Sequence, residues 1–172
     1  TDAETLLADP RDNRLYVVTK ADAGGVVYVV PPDAWPGAGP GITRHTSSKP
    51  SITRTQFQRL TEVDLPLATD GTVLSDGRVV LRSNNQLVVL ADLRKWKGLS
   101  TAPILASRAS PKQRQGESLT EVNGVLLLGS EGVDQPVIRV RIPTTISRTP
   151  ASPRLRHASS FGPWVFGGVA LV

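Results

Sequence analysis

The sequence contains no cysteine and no methionine, has only two histidines, and is only 5% aromatic over its 172 residues. The lack of cysteine excludes disulfide bonds, zinc–thiolate sites, iron–sulfur clusters and cysteine nucleophiles. His45 and His157 are too few for a multi-histidine metal site, and neither has a second histidine at ligand spacing. Because the chain opens at Thr1 and contains no methionine, we expect it to be a processed or trimmed part of a longer protein.

The composition is that of a globular protein of one or two domains. The chain is 39% hydrophobic and 20% charged, values that argue against wholesale disorder and against a polytopic membrane protein. It contains 15 glycines and 14 prolines, so many turns and short elements are expected. Long helices are not expected.

Short apolar runs rich in Val and Leu, each bounded by turn residues, predict an all-β fold. The predicted strands are Thr5–Ala8, Arg14–Thr19, Val26–Val30, Arg59–Pro66, Val79–Arg82, Gln86–Leu90, Pro103–Arg108, Val125–Gly129 and Val137–Ile142. One turn of helix is predicted within Ala91–Gly98, with Asp92 as its cap and Gly98 at its end. This stretch is too short to be stable as a helix alone.

Three segments, which begin at Thr1, Thr69 and Gln115, repeat one pattern. In each, a polar opening leads into a short strand, a turn dipeptide and an apolar strand, and a third strand follows. The dipeptides are Asp12-Asn13, Asp76-Gly77 and Asn123-Gly124, a type that tolerates positive φ in tight hairpins. The first two units add a fourth strand. Without residues 31–55, each unit has roughly the 40–50 residues of a four-stranded propeller blade.

Two further regions differ in composition from these units. Residues 31–55 are rich in Pro, Gly, Ser and Thr, which predicts a surface loop inserted into the first unit. Residues 143–160 form a basic, Pro- and Ser-rich linker, and residues 161–172 are an uncharged apolar tail. This tail is too short to span a bilayer, which needs about 20 apolar residues. It is interpreted as the start of a membrane anchor with Trp164 at the interface, as a final strand, or as a disordered end.

The motifs SDGRVVLRS and GES…NGVLLLGSEG…PVIRVRIP resemble blades of the six-bladed β-propellers of actinobacterial extracytoplasmic proteins. That family is distantly akin to WD-repeat-like and esterase-like phytase propellers. The resemblance covers approximately Thr1 to Pro143 and implies about three four-stranded antiparallel blades, part of a six-bladed ring. It also implies a secretion signal, a Pro-rich stalk and a membrane helix, and hence an extracytoplasmic, membrane-associated location.

Three blades are about half of such a ring, so two open edges are expected. Unpaired strand edges promote association. We therefore expect missing blades, another segment or a second chain to cover them.

In a propeller blade, the start of the first strand and the end of the second lie at the same end of their hairpin. We therefore predict a binding face made of residues from all three units: Asp2, Glu4, Lys20, Asp70, Arg82, Glu117 and Glu131. Four of these carboxylates are candidate calcium ligands, because Ca²⁺ prefers hard oxygen donors: Asp2, Glu4, Asp70 and Glu117. Alternatively, one carboxylate with a raised pKa acts as a general acid or base. In a third interpretation these residues line a water-filled channel as ion pairs, such as Glu117 with Arg82.

Two functions follow from this face. The first is a non-enzymatic binding or scaffold module at the cell envelope that recognises a protein or an envelope ligand. The second is a calcium-dependent phosphoesterase or esterase-like hydrolase, by analogy with propeller phytases. The lack of histidine near the face favours binding, although a fold alone does not fix function.

Nucleic acid is not an expected partner. Of the net charge of +5, three charges come from arginines after Ile142. The sequence shows no recognition helix, and no aromatic residues alternate with the basic ones.

Overall fold

A computed structural model describes residues 2–31 and 56–145 of the chain, which form eleven strands in three antiparallel sheets. The prediction of an all-β fold is confirmed. Most of the predicted insertion, the linker from residue 146 and the apolar tail at 161–172 lie outside the described residues, as do His45, His157 and Trp164.

Within each sheet, the strands follow one another in chain order. The first sheet contains β1 (Ala3–Ala8), β2 (Leu15–Thr19), β3 (Gly25–Val29) and β4 (Gln58–Val63). The second contains β5 (Asp70–Val73), β6 (Val79–Arg82), β7 (Gln86–Leu90) and β8 (Ile104–Ala109). The third contains β9 (Ser118–Val122), β10 (Val125–Gly129) and β11 (Ile138–Arg141).

The strand pattern predicted four strands in each of the first two units and three in the third, and the described residues have these numbers; the four strands that the resemblance implied for every blade are not found in the third sheet. After β11 the chain leaves its own sheet at Ile142–Thr145. The carbonyl of Thr145 accepts a hydrogen bond of 3.0 Å from the backbone N–H of Ser107 in β8. Pro143, which lacks an N–H, cannot extend a strand ladder at this point.

Each predicted turn dipeptide contains at least one residue with positive φ, as expected. Asn13 has φ of 56° and Gly77 of 88°. In the third sheet both turn residues are positive, with Asn123 at 50° and Gly124 at 79°. Two consecutive residues of this kind make the tight turn whose twist matches that of the flanking strands.

The short helix expected within Ala91–Gly98 is a single 3-10 turn at Leu93–Lys95. As predicted, the Asp92 side chain caps it by accepting a hydrogen bond from the N–H of Arg94, and Gly98 follows with φ of 81°. Within residues 2–31 and 56–145, no helix is long and apolar enough to cross a membrane.

Two hydrophobic cores lie on opposite faces of the second sheet. Along β6, the side chains of Val79 and Leu81 belong to the first core, shared with the first sheet, whereas Val80 belongs to the second core, shared with the third sheet. This alternation follows from the two-residue period of a strand. A sheet buried on both faces needs apolar residues at consecutive positions, which explains the continuous apolar runs of β6 and β7.

The first strands of the three sheets lie side by side, β1 against β5 and β5 against β9. Gly71 permits the close approach of β1 and β5. A Cβ atom at Gly71 would lie 2.5 Å from Leu81 Cδ2, 2.9 Å from Leu7 Cδ2 and 2.9 Å from the Val80 carbonyl oxygen. At the outer side, a parallel bridge between Glu62 and Thr101 also links the first two sheets.

Candidate functional site

The candidate site begins where β1 starts and β2 ends. These strands are antiparallel, with Ala3 opposite Thr19, so the residues beyond them lie together. The backbone N–H of Lys20 donates to the carbonyl of Asp2 at 3.0 Å, and Lys20 Nζ forms an ion pair of 2.7 Å with Glu4 Oε2. Three of the predicted residues are thus brought together by one hairpin.

The third sheet supplies two more carboxylates by the same geometry. Ser118 of β9 lies opposite Gly129 of β10, so Glu117 and Glu131 lie at the same end of their hairpin. Burial is the largest cause that raises the pKa of Glu117, followed by the negative charge of Glu131 and a hydrogen bond with it. Glu117 therefore stays protonated up to a higher pH than an isolated glutamate does.

Charges of the first and third sheets act on each other at this end. The hydrogen bond with Glu4 is the main cause that raises the pKa of Lys20. Burial acts to lower this pKa, and the charges of Glu117 and Asp2 act to raise it further. In return, the charge of Lys20 acts to lower the pKa of Glu117. We call this group of four carboxylates and one ammonium the acidic rim: Asp2, Glu4, Lys20, Glu117 and Glu131.

Asp70 and Arg82, the other two predicted residues, lie deeper, between the second and third sheets. They face each other across β5 and β6, and the Arg82 residue is fully buried. Asp70 Oδ2 accepts a hydrogen bond of 2.6 Å from the backbone N–H of Leu119 in β9. Burial is the largest cause that raises the pKa of Asp70, although the hydrogen bonds from Leu119 and Gly71 and the charge of Arg82 act in the opposite direction.

The expected ion pair between Glu117 and Arg82 is wrong. Arg82 Nη1 donates instead to the carbonyl oxygens of Ser118 at 2.9 Å and Gly129 at 2.8 Å, and Nη2 donates to Gln113 Oε1. The guanidinium enters the interface between sheets, where backbone acceptors surround it. Burial therefore lowers the pKa of Arg82, while the charges of Asp70 and Glu117 act to raise it.

Gly116 makes room for this arginine. A Cβ atom at Gly116 would lie 1.8 Å from Arg82 Nη2, a distance that two non-bonded atoms cannot adopt. The carbonyl of Gly116 also accepts a buried hydrogen bond of 2.9 Å from Thr69 Oγ1. The side chains of Thr69, Asp70 and Arg82 thus bind the backbone of the third sheet.

The predicted set of calcium ligands is not assembled. In the described part of the chain, no three Asp, Glu, His or Cys side chains are grouped so that they could hold a metal ion. Glu4 is paired with Lys20, and Asp70 is directed at the Leu119 amide, so these carboxylates do not share an open centre with Asp2 and Glu117. The acidic rim is therefore a surface, and the contact that Asp70 and Arg82 make with the third sheet is buried beneath it.

A second charged cluster, which sequence analysis did not identify, lies between the β1–β2 turn and the segment after β7. Asp9 is fully buried and accepts hydrogen bonds from Arg11 Nε at 2.8 Å and Arg11 Nη2 at 2.7 Å. Arg11 Nη2 also pairs with Asp92 at 2.9 Å, and Arg94 Nε lies 3.5 Å from Asp9. In the sequence, only the alternation of acidic and basic residues in Asp9-Pro10-Arg11-Asp12 indicates this cluster.

The contacts within this cluster shift the pKa values of Asp9 and Arg11. Burial acts to raise the pKa of Asp9, but the hydrogen bonds and charge of Arg11, together with the charge of Arg94, outweigh it and hold that pKa below its usual value. The hydrogen bonds that Arg11 makes with Asp9 and Asp92 raise the pKa of Arg11. The cluster is an ionised contact between the first two sheets.

No protein-family model matches the chain, and a search of curated proteins gives no match.

Proposed function

We propose that the three sheets are blades of a β-propeller, of the six-bladed kind that the sequence resembles. Two observations support the proposal. The first strands lie side by side in chain order, as the inner strands of successive blades do. Charges from the first and third sheets also act on each other at one end of these strands, although the second sheet lies between the two.

The outer faces of the first and third sheets support a continuation of the ring. Leu6, Val17 and Tyr28 face each other across three strands on the side away from the first core, and Leu6 is 60% exposed. In the third sheet Val122 is 43% exposed, and Val137, which comes just before β11, is 67% exposed. Such uncovered apolar faces favour association. We propose that further blades, from the same protein or from a second copy, cover them.

This proposal predicts that the chain of 172 residues associates with itself in solution. Leu6→Lys is expected to shift the chain toward the monomer, because it places a charge in the apolar stripe of the first sheet. Leu105→Lys, at a position 48% exposed on β8, serves as the control and leaves association unchanged. Light scattering over a range of concentrations measures both. A monodisperse monomer at all concentrations contradicts the proposed cover.

We further propose that the protein is a non-enzymatic binding module that presents the acidic rim to a protein or cell-envelope ligand. The observation that carries this proposal is the convergence of four carboxylates and one lysine, from the hairpins of the first and third sheets, at one end of the sheets. Their excess of negative charge suits a partner with positively charged groups, and such complementarity increases association rate and specificity. Loops and strand ends on a rigid scaffold are common places for binding residues.

The proposed location is extracytoplasmic and membrane-associated. It is supported by the resemblance to extracytoplasmic propellers and by the order of a basic linker at 143–160 and an apolar tail at 161–172.

The rim hypothesis is tested by charge neutralisation. The triple variant Glu4→Gln, Glu117→Gln, Glu131→Gln is expected to lose at least about tenfold in affinity for hexalysine and for cationic envelope fractions, because three charge-assisted contacts are removed. The control Asp22→Asn, Asp64→Asn, Asp134→Asn changes the net charge equally at exposed positions outside the rim. It is expected to bind as the unmodified chain does. Binding is measured by titration calorimetry at two salt concentrations.

Equal losses in the two triple variants would show only general charge attraction and would contradict a binding face. The hydrolase alternative has its own test, a screen of phosphate monoesters with and without calcium. Hydrolysis that is abolished by Glu117→Gln together with Asp70→Asn would replace the binding proposal with a catalytic one.

A further inference from the structure

A cleft of about 680 Å³ opens between the first sheet and the 3-10 turn, away from the acidic rim. It lies where β2 begins, where β3 ends and where β4 begins. Its volume is within the range of about 300–1,000 Å³ that is usual for small-molecule sites. The cleft shares none of its lining residues with the rim.

The inner wall of the cleft is apolar. Tyr16 and Val29 face each other across β2 and β3, and Leu60 and Leu93 complete the wall. Tyr16 is only 3% exposed, and Leu93 is 1% exposed. These side chains belong to the first core or pack against it, so the wall is a fixed part of the fold rather than a mobile surface.

The opening of the cleft is basic. Its lining includes four cationic side chains and one carboxylate: Arg14, Arg59, Arg94, Lys97 and Asp12. Arg94 is paired with Asp12 at 3.1 Å, and Arg59 is paired with Glu62. Among the described residues, Arg14 and Lys97 form no ion pair with a carboxylate within 4.0 Å. Two cationic side chains therefore remain for a ligand.

Arg14 also lies beside the phenol of Tyr16. Burial is the main cause that raises the pKa of Tyr16, and the charge and hydrogen bond of Arg14 act to lower it. A cation thus stands directly at the boundary between the apolar wall and the basic opening.

The sequence between residues 32 and 55 does not have the charge to neutralise this opening. Between residues 32 and 55 the only acidic residue is Asp33, against the basic residues Arg44, Lys49 and Arg54. A separate anionic molecule suits Arg14 and Lys97 better, because neither of them is paired with a carboxylate among the described residues. We propose that the cleft binds a phosphate monoester of an apolar or aromatic group.

The two parts of such a ligand match the two parts of the cleft. A phosphate monoester carries close to two negative charges at neutral pH, which the Arg14 guanidinium and the Lys97 ammonium balance. Guanidinium groups recognise phosphate through paired hydrogen bonds. The apolar group packs against Val29 and Leu60 and removes apolar surface from water.

Phenyl phosphate is the probe for this site, titrated into the full chain and followed by backbone amide NMR. Saturable shifts are expected at Tyr16, Leu60 and Lys97. Inorganic phosphate and phenol, which each supply one half of the ligand, are expected to bind more weakly. Arg14→Gln with Lys97→Gln is expected to weaken binding by about tenfold or more, as for lost hydrogen bonds between charged groups.

Lys112→Gln with Arg114→Gln is the matched control, since both residues are exposed and lie outside the cleft. This control is expected to bind phenyl phosphate as the unmodified chain does. Equal weakening in both double variants would show that the probe responds only to net charge and would overturn the proposal. Shifts that do not saturate, or inorganic phosphate binding as tightly as phenyl phosphate, would also overturn it. The outcome of the acidic-rim experiment does not affect this test, because the rim and the cleft share no residues.

Discussion

Arg82→Ala is expected to lower the free energy of unfolding by about 3–5 kcal/mol, the usual effect of removing one partner from a buried charged contact. Without the guanidinium, the carbonyl oxygens of Ser118 and Gly129 lose their donor and Asp70 loses the positive charge beside it. A cavity also remains at the interface between the second and third sheets. Urea denaturation followed by circular dichroism measures the change.

Arg78→Ala is the control, since Arg78 lies between β5 and β6, four positions earlier in the chain. The Arg78 side chain is 38% exposed and is paired with Asp76 at the surface, so its loss is expected to cost less than about 1 kcal/mol. Arg82→Lys keeps the charge but replaces the planar fork of donors with a single ammonium group, and its effect is expected to fall between the two. Equal effects of Arg82→Ala and Arg78→Ala would contradict the role given to Arg82.

Asp9→Ala is expected to destabilise the protein by a similar amount, about 3–5 kcal/mol, because it leaves Arg11 without its buried partner. The side chain of Asp9 is fully buried, whereas that of Asp12 in the same turn is 27% exposed. Asp12→Ala is therefore the matched control and is expected to cost less than about 1 kcal/mol. A loss as large for Asp12→Ala as for Asp9→Ala would contradict this account.

The same contact predicts a pH dependence. The pKa of Asp9 in the folded protein lies below its usual value, so in the window between the two values the unfolded chain binds more protons than the folded one. The stability contributed by ionised Asp9 is complete above the usual aspartate pKa and is lost as the pH falls through the folded value. Asp9→Asn is expected to reduce the dependence of the free energy of unfolding on pH in this acidic window. Urea denaturation at a series of pH values measures this dependence.

Local features of the fold could be predicted from the sequence, because they depend on neighbouring residues. The Asn123-Gly124 turn and the cap at Asp92 were found from residue type alone. Short apolar runs between turn residues predicted most of the strands. The convergence of Lys20 with Glu4 also followed from a local rule, since the two ends of an antiparallel hairpin meet.

Contacts between sheets could not be predicted in this way. Arg11 and Asp92 are 81 positions apart, and nothing in either segment indicates the other. Arg82 was assigned to Glu117 because opposite charges at one end of the sheets suggest an ion pair. The sequence pattern contains no information on the backbone carbonyls of the third sheet, which bind Arg82 instead. Asp70 was grouped with the calcium candidates for the same reason, because nothing in the sequence indicates that its carboxylate accepts a hydrogen bond from the Leu119 amide.

The burial of the second sheet on both faces has a consequence for how this part of the protein opens. Each outer sheet shields a different face, through a separate hydrophobic core. Detachment of the third sheet would expose one face of the second to water and leave the other core intact, as in repeat proteins whose units contact only their neighbours. Partial opening from the end of the row is therefore less costly than global unfolding, and it offers a route by which a new unit could join or leave without disturbing the rest.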